Sequence, residues 1–414
     1  MADPAARHAL PSQGISRDAI RARLARSKLD PIRGHWTKSF RPPKEVQEVG
    51  IEAYMDFLSD NAFFSLYLPY IGEVESELMG MCTSLFHPRA DSTASPTSGG
   101  SESIYCGIHA AREWARRHKP GASAPEVLMP YSAHAAFDKA CHYFGLKPVR
   151  TPLRDDFRAD IDAMRRAINP NTVCIVGSAP CWSFGRYDPL REIGQLAEEH
   201  NLWMHVDACV GGYLAPFYEK LGRPMPPWDF RIPQVKSISA DLHKFGYCPK
   251  PLSTIVWASE ELLQYHYCHP ENWPAGPYRM VGFAGSRSAG PVFAAWAIMN
   301  YLGEAGYLDL ARRLMATEAK LREGVNAIEG LAVFETDLMP FTIRGTTVNL
   351  EQLMAVMMEK GWILLGNHEP PLINVPIDAA TTDEISDTFL ADLADAAERV
   401  RSGRVQGSSS LRYG

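Results

Sequence analysis

The stretch VKSISADLHKFGYCPK, residues 235–250, decides how this chain is interpreted. Its first part, VKSISA (235–240), is one of several short apolar runs that predict strands, and Lys244 follows soon after the run ends. Lysine usually belongs on a solvated surface, yet Lys244 lies among small and aromatic residues, directly after His243. Lys244 is therefore either a covalent anchor at a strand end or an ordinary surface lysine, and the rest of the chain has to separate these alternatives.

Short apolar runs alternate with helix-like segments on both sides of this stretch. The predicted strands are EVLMP (126–130), KPVRTP (147–152), TVCIVGSAP (172–180), LWMHVDA (202–208), VKSISA (235–240) and STIVWAS (253–259). Segments with helical periodicity, such as SESIYCGIHAAREWARRH and LREIGQLAEEH, lie between them. This order predicts the α/β class, with a largely parallel sheet covered by helices on both faces.

Changes in the pattern along the chain predict its domains. Residues 1–72 are expected to form an N-terminal arm, with a short amphipathic helix capped by Ser16 and a second helix through VQEVGIEAYMDFLSD. Residues 73–290 carry the alternation and form the large domain. Residues 291–405 begin with a long or kinked helix and continue into a smaller α+β domain, and residues 406–414 are a loose tail.

Composition excludes several classes of partner. The 414 residues include 42 Lys and Arg against 48 Asp and Glu, a net charge of −6, which argues against nucleic acid as the main partner. The eight cysteines are scattered without a C-x-x-C pair, as in a reduced cytosolic protein with no structural zinc. No signal peptide and no apolar run of membrane-spanning length is found. The expectation is a cytoplasmic protein without metal, nucleic acid or membrane partners.

Two further motifs have the residue types of a ligand site. In TSGGSESI (97–104), Gly100 and Ser101 begin a predicted helix, whose free amides suit a phosphate; a well-capped surface turn is the alternative. In LWMHVDA, Asp207 ends a predicted central strand, where open α/β sheets bind ligands; an ordinary helix cap or loop salt bridge is the alternative. Together with Lys244, these motifs supply what pyridoxal phosphate requires: a phosphate cup, a carboxylate for the pyridine nitrogen and an amine for the aldehyde. A partly buried lysine near other cations is also expected to have a lowered pKa.

The motifs resemble those of the pyridoxal phosphate-dependent group II decarboxylases, and within that family the sphingosine-1-phosphate lyase branch. The resemblance extends over residues 73 to 400, about four-fifths of the chain. It is carried by TSGGSESI, YSAHAAFDKACHYFG, HVDACVGGYLAPFYEKLG, DFRIPQVKSISADLHKFGYCPK, AGSRSAG and MNYLGEAGY. It implies an aspartate-aminotransferase-like (type I) large domain and pyridoxal 5'-phosphate as cofactor.

The resemblance also implies roles for individual residues. Lys244 would form the Schiff base with the cofactor, Asp207 would pair with the pyridine nitrogen, and His134 would stack on the cofactor ring. Gly100, Ser101 and His243 would hold the phosphate. Gly285 and Ser286 would reach the phosphate of a neighbouring subunit, which implies a homodimer with shared active sites. Lys250 would lie near the substrate; on its own it could equally be a solvated loop lysine.

Three stretches depart from the pattern of the lyases. RGHWTKSFRPPKEV lacks the tyrosine of their N-terminal segment, and APCWSFGRYDP (179–189) and LFHPRADSTASP replace other characteristic stretches. All three are expected around the substrate, so the chemistry is predicted to be kept and the substrate, an amine or amino acid, to be different. Arg89 and Arg287 are candidates for binding a substrate carboxylate or phosphate, with a structural ion pair as the alternative for each.

The leading function is retro-aldol cleavage of a phosphorylated or otherwise anionic β-hydroxy amine through a Schiff base of Lys244, with the freed Lys244, His134 or Lys250 as possible bases. Amino-acid decarboxylation at the same site is the alternative, because the local motifs do not decide which bond to Cα breaks. A transaminase or desulfurase matches the motifs less well. A pyridoxal-binding homologue without activity is a further alternative, although Lys244 and Asp207 are both present.

Overall fold

The computed structural model describes residues 13–25, 30–38, 40–65, 67–274 and 282–405. Its larger sheet has seven strands in the order β1-β7-β6-β5-β4-β2-β3. These strands are β1 Thr93–Thr97, β2 Glu126–Pro130, β3 Lys147–Thr151, β4 Thr172–Ser178, β5 Trp203–Asp207, β6 Val235–Ala240 and β7 Ser253–Trp257. β2 to β6 are parallel to one another, and β7 runs antiparallel to both of its neighbours. The predicted α/β class and the mostly parallel sheet are confirmed.

Helices cover both faces of this sheet, as the strand sequences require. Residues alternate between the faces, so Val127 and Met129 lie in one apolar core while Leu128 lies in the other. The helices of this part of the chain are α3 Pro69–Ser84, α4 Gly100–His118, α5 Ala136–Phe144, α6 Ile161–Ala167, α7 Leu190–Glu199, α8 Ala215–Lys220 and α9 Glu260–Leu263. α4 and α5 contribute to one core and α7 to the other. Because both faces of this sheet are buried, several of its strands are continuous apolar runs in the sequence and do not alternate between apolar and polar residues.

A second, antiparallel sheet lies towards the carboxyl end of the chain. Its strands are β8 Leu331–Phe334, β9 Phe341–Gly345, β10 Leu365–His368 and β11 Pro371–Val375, in the order β10-β11-β9-β8. The associated helices are α10 Gly290–Asn326, α11 Leu350–Glu359 and α12 Asp383–Arg401. α10 is interrupted at Gly303, whose φ of 53° is not helical, so the prediction of a long or kinked helix is confirmed.

The described part of the N-terminal arm has two different environments. α1 Arg17–Ala25 has no buried residue, and the Ser16 hydroxyl accepts the Ala19 amide at 3.2 Å, which confirms the predicted cap. α2 Lys44–Asp56 packs against α10 so closely that a Cβ at Gly50 would lie 2.5 Å from Ile298 Cδ1. Between α1 and α2, Trp36 packs on Trp362 and Phe389 of the smaller domain. The predicted tail 406–414 lies outside the described residues.

Among the residues that the structure describes, no helix is both long enough and apolar enough to cross a bilayer.

Candidate active site

Parallel strands bring the predicted site residues to one edge of the large sheet. Asp207, the last residue of β5, is paired in register with Ser178 of β4 on one side and Ser239 of β6 on the other. β6 ends one residue after Ser239, and the loop that carries Lys244 follows directly. Asp207 and Lys244 therefore share the carboxyl edge, where ligands of open α/β sheets bind.

The loop between β6 and β7 is held in a compact form by its own backbone. The His243 amide donates to Leu252 O at 3.2 Å, and the His243 ring donates from Nδ1 to the same oxygen at 2.7 Å. The Cys248 amide donates to Leu242 O at 3.1 Å. These bonds join the two ends of the loop to each other and hold the backbone of Lys244 in place.

Lys244 is paired with a carboxylate that the sequence argument did not single out. Its Nζ lies 3.0 Å from Asp241 Oδ2, and its side chain is 20% exposed. Burial has the largest single effect and lowers the pKa of Lys244, but the attraction of Asp241 together with Cys209 and Asp207 outweighs it, and the net pKa is raised above its ordinary value. The predicted lowering of the Lys244 pKa is therefore wrong, because the group nearest to the amine is an anion and not one of the neighbouring cations.

Asp241 interacts with several of the groups at this edge of the sheet. It is 3% exposed, accepts the Ser253 hydroxyl, and has its pKa held below the ordinary value: burial opposes ionisation, but Lys244 and His243 favour it. A carboxylate three residues before a lysine was visible in the sequence as an i, i+3 pair. What the sequence could not show is that the backbone of α4 presses against this carboxylate.

The glycine pair begins α4 as predicted, and its lack of side chains has a structural reason. A Cβ at Gly100 would lie 2.8 Å from both carboxylate oxygens of Asp241 and 2.9 Å from Cys209 Sγ. The Glu102 carboxylate accepts the Ser98 amide at 2.6 Å, which fixes the start of the helix. Ser101 is exposed there, and His243 is adjacent, with Cε1 3.8 Å from a Cβ built on Gly99. Gly100, Ser101 and His243 therefore surround one helix N-terminus.

His134 lies between β2 and α5, on the same edge. Its Nδ1 accepts the Ala136 amide at 3.1 Å, so in the neutral ring the proton is on Nε2. Burial lowers the pKa of His134, and the charges of Asp207 and Lys244 act on it with opposite signs. The structure thus brings His134 together with Asp207 and Lys244, as the resemblance implied.

A second buried histidine, His205, lies close to Asp207 and was not among the predicted site residues. His205 lies two residues earlier on β5, on the same face, with Nδ1 2.8 Å from Ser237 Oγ and Nε2 3.1 Å from Ser239 Oγ. Burial lowers its pKa to about 3, so the ring is neutral. A Cβ at Gly107 of α4 would lie 2.6 Å from His205 Nδ1. The ring therefore sets the distance between the helix and the strand.

The remaining candidates lie further out. Lys250 is exposed on one side, and partial burial followed by repulsion from Lys244 lowers its pKa. Gly285 and Ser286 lie in a loop held to Asn61, whose amide donates to Ser286 Oγ at 3.1 Å. Arg287 lines a cavity of about 380 Å³ that also touches Ser98, Glu102, Pro251 and Leu252, beside the start of α4.

Arg89 is not brought to the site in this chain. It donates to Pro233 O at 2.6 Å and Val235 O at 3.3 Å, at the beginning of β6 and thus at the opposite edge of the sheet from Lys244. Its guanidinium also lies over the Phe230 ring, 5.7 Å from the centroid. Arg89 therefore has a structural role. It binds backbone carbonyls, whereas the structural alternative considered from the sequence was an ion pair.

The residues at the carboxyl edge fit pyridoxal phosphate. A helix N-terminus with no side chain at Gly100 suits a phosphate, Asp207 supplies a carboxylate, Lys244 an amine and His134 a flat ring. The fold and this arrangement define a pyridoxal phosphate-dependent enzyme of the aspartate-aminotransferase type.

Comparisons with known proteins identify the family. Residues 52–339 match the family described as the pyridoxal-dependent decarboxylase conserved domain. The chain belongs to this family of pyridoxal phosphate-dependent lyases. It is 37% identical over 348 residues to sphingosine-1-phosphate lyase of Arabidopsis thaliana, covering 82% of this chain and 64% of the relative. It is 34% identical over 400 residues to sphingosine-1-phosphate lyase 1 of Mus musculus, covering 94% and 70%.

A decarboxylase and a solved structure complete the comparison. The chain is 30% identical over 344 residues to a probable L-tyrosine/L-aspartate decarboxylase of Methanothermobacter thermautotrophicus, covering 82% of this chain and 92% of that protein. The solved structure of Burkholderia pseudomallei K96243 sphingosine-1-phosphate lyase Bpss2021 superposes with a TM-score of 0.88 at 32% identity, covering 96% and 94%. The chain spans just under two thirds of the Arabidopsis relative but nearly all of the solved structure.

Proposed function

We propose that this protein is a carbon–carbon lyase that cleaves a β-hydroxy amine with an anionic group by a retro-aldol reaction. Lys244 would bind the cofactor aldehyde, Asp207 would pair with the pyridine nitrogen, and Gly100, Ser101 and His243 would hold the phosphate. Bound pyridoxal phosphate supplies an electron sink for the bond that breaks at the substrate's Cα. Similarity to sphingosine-1-phosphate lyases over most of the chain supports this class of reaction.

Retro-aldol cleavage needs a base for the β-hydroxyl, and the position of Lys250 carries the proposal. The hydroxyl proton passes to the base, the Cα–Cβ bond breaks to release an aldehyde, and Cα is protonated afterwards. Lys250 lies in the same loop as Lys244, and its lowered pKa makes the neutral amine more available than in an ordinary lysine. His134 is less suited to this step, because its Nδ1 is occupied by the Ala136 amide and its Nε2 carries the proton. His134 acts as a hydrogen-bond donor and as a flat surface for the cofactor.

Two cations beside one cavity support an anionic substrate. Arg287 lines the cavity of about 380 Å³, and Pro251 and Leu252, which line it too, directly follow Lys250. The cavity also touches the start of α4 at Ser98 and Glu102, next to the proposed phosphate cup. Arg287 also lies 3.7 Å from the Glu75 carboxylate, which lines the same cavity, so a phosphate or carboxylate on the substrate would compete with Glu75 for this guanidinium.

Amino-acid decarboxylation is the second candidate. The probable decarboxylase from Methanothermobacter thermautotrophicus is matched over 92% of its length, and this similarity supports the second candidate. The same residues would hold the cofactor, and Arg287 would then bind the substrate carboxylate. The two reactions differ only in which bond to Cα is broken.

Product analysis separates the two candidates. The protein, supplied with pyridoxal phosphate, is incubated with amino acids and phosphorylated amino alcohols, and mass spectrometry identifies the products. An aldehyde together with phosphoethanolamine or another small amine establishes retro-aldol cleavage. An amine lighter than its amino acid by carbon dioxide establishes decarboxylation and contradicts the leading proposal.

A matched pair of lysine variants tests the role of Lys244. Lys244→Ala should abolish both the attachment of the cofactor by borohydride and turnover. Lys236→Ala is the control, because Lys236 is a partly buried lysine at the opposite end of β6 that donates to Leu202 O. Turnover that survives in Lys244→Ala would overturn the whole assignment, whereas attachment without turnover of any amine in the unaltered protein would indicate an inactive homologue.

A homodimer with shared active sites is part of the proposal. Exposed apolar side chains lie along α2 and the segment that follows it, where a second copy of the chain could cover them. They are Ile51, Met55, Leu58, Phe64 and Tyr67. Light scattering measures the association, and subunit mixing tests the sharing. Lys244→Ala and Gly285→Asp are each expected to be inactive, whereas their mixture regains activity because one site of each mixed dimer is intact.

We also propose that the protein works in the cytoplasm. The eight cysteines are free thiols, and seven of them are buried, which suits a reducing compartment. Cell fractionation with an antibody against the chain tests this directly, and recovery from an oxidising compartment would contradict it.

A further inference from the structure

Asp241 is a buried carboxylate with two basic neighbours. Its Oδ2 lies 3.0 Å from Lys244 Nζ and 3.7 Å from His243 Nε2, and the residue is only 3% exposed. Ser253 donates a hydrogen bond to it from β7 but brings no charge. Removing the cation from a buried ion pair is costly, so this carboxylate is stable as an anion only beside a cation.

The nearest cation is also the residue proposed to bind the cofactor. If Lys244 held the cofactor aldehyde, its nitrogen would no longer be a free ammonium beside Asp241. The other titratable groups that act on this region are the Asp207 carboxylate at the end of β5, the Cys209 thiol, whose pKa is raised by burial, and His134 across the site. Lys250 acts on His243 and Lys244 from the end of the loop.

His243 has the geometry to replace Lys244. Its Nδ1 donates to Leu252 O at 2.7 Å, so the ring is fixed and the second proton must enter at Nε2. Nε2 is the atom that faces Asp241, at 3.7 Å. The same ring lies beside Gly99 at the start of α4, where the phosphate is proposed to bind.

We propose that Asp241 is a positioning residue that exchanges one cation for another: it pairs with Lys244 in the cofactor-free protein and with protonated His243 when Lys244 holds the cofactor. His243 then meets the phosphate as a cation, so the attachment of the aldehyde strengthens the binding of the phosphate. The inference rests on the proposed cofactor roles of Lys244 and His243, and it holds for either of the two reactions.

Histidine titration in the unaltered protein is the first test. The protein is labelled with ¹³C at histidine Cε1, His243→Gln assigns the resonance, and the titration is followed by NMR without cofactor and with pyridoxal, which has the aldehyde but no phosphate. The midpoint of His243 should rise by about one pKa unit or more with pyridoxal, because Asp241 loses its ammonium partner. An unchanged midpoint of His243 would overturn the proposal. Because pyridoxal has no phosphate, a rise in the midpoint cannot come from attraction between the His243 ring and a phosphate.

Variants of Asp241 and Ser253 provide the second test. With Asp241→Asn, the midpoint of His243 in the presence of pyridoxal should fall by about one unit or more, and pyridoxal phosphate should bind about tenfold more weakly or worse, with little change for pyridoxal. Ser253→Ala is the control, because it removes a hydrogen bond to Asp241 and leaves the charge. Equal losses for both ligands in Asp241→Asn would show a merely structural role.

The outcome is distinguishable from failure of the proposed cofactor site. If borohydride does not attach pyridoxal phosphate to Lys244, as read by peptide mass spectrometry, the cofactor assignment itself falls. If it does attach and His243 does not respond, only the exchange at Asp241 is overturned.

Discussion

The ring of Phe40 packs edge-on against the ring of Phe245, with centroids 5.1 Å apart and an interplanar angle of 78°. Phe245 is the residue directly after Lys244 and is almost completely buried. The N-terminal segment that departs from the lyase pattern therefore touches the loop that carries the proposed cofactor lysine. Trp36 of the same segment packs on Trp362 and Phe389, so the segment bridges this loop and the smaller domain.

Removing the Phe40 ring should weaken this bridge. Phe40→Ala is expected to lower the free energy of unfolding by about 1–2 kcal/mol, because an aromatic contact and part of its apolar burial are lost. Limited proteolysis should then cut residues 30–41 faster, whereas Phe40→Leu, which keeps an apolar side chain, should resist. Equal cleavage of the alanine variant and the unaltered protein would show that Phe40 does not hold the segment.

A side chain at Gly100 should disturb the proposed phosphate cup. Gly100→Ala would place a Cβ 2.8 Å from the Asp241 oxygens, so backbone or carboxylate must shift, at a cost of about 1–3 kcal/mol in unfolding free energy. Affinity for pyridoxal phosphate, measured by equilibrium dialysis, should fall as well. The matched control is Gly80→Ala in α3, where nothing lies within 4 Å of the new Cβ and a gain of about 0.5–1 kcal/mol is expected.

His134 should affect catalysis with a defined pH dependence. Protonation of Nδ1 would break its bond with the Ala136 amide, and burial lowers the pKa of His134 below 6.5. Activity that depends on the neutral ring is therefore lost only as the pH falls through this lowered pKa. His134→Phe keeps a flat ring but has no hydrogen-bond donor. Its kcat should be about 10²-fold lower, and the acidic limb of the pH–activity profile, the fall in activity at low pH, should be absent. An acidic limb that persists in this variant would assign the limb to another group.

His205 should make the fold sensitive to acid. Its pKa is about 3 in the folded protein against 6.5 when exposed, so the unfolded chain takes up the proton first and stability is lost as the pH falls from 6.5 towards 3. The loss should reach about 3 kcal/mol by pH 4. Urea unfolding of the unaltered protein and of His205→Gln, at pH 7 and pH 4 and at one protein concentration, measures the difference. A pH response that is identical in the two proteins would contradict the assignment.

Sequence patterns predicted the strands of the large sheet where burial leaves a continuous apolar run. β2, β4 and β5 are such runs, and each structural strand lies within the predicted stretch. β1, TASPT, was not predicted, because an edge strand tolerates Pro96 and does not need apolar residues on both faces. β10, LGNH, was missed for a similar reason, since it is short, polar and at the edge of the second sheet.

The candidate site was predictable where function follows from position in the chain. Asp207 and Lys244 were found because Asp207 ends one predicted strand and Lys244 lies soon after another, and parallel strands end at one edge. The sign of the Lys244 pKa shift was not predictable, because it depends on which neighbour in the loop folds back onto the amine. Arg89 is only ten residues before Gly99 in the chain, but β1 lies between them and carries them to opposite edges of the sheet.

The buried carboxylate of Asp378 joins two segments that are far apart in the chain. It accepts His35 Nε2 at 3.0 Å and the Arg41 amide at 2.8 Å, and Arg41 also contacts the His35 ring. These partners are separated from Asp378 by 343 and 337 residues. On the ribosome, residues 35–41 cannot form these contacts until the chain has been translated as far as Asp378. A nascent chain that stops before Asp378 could therefore hold Lys244 in a complete large sheet and still lack the contacts that fix the segment carrying Phe40.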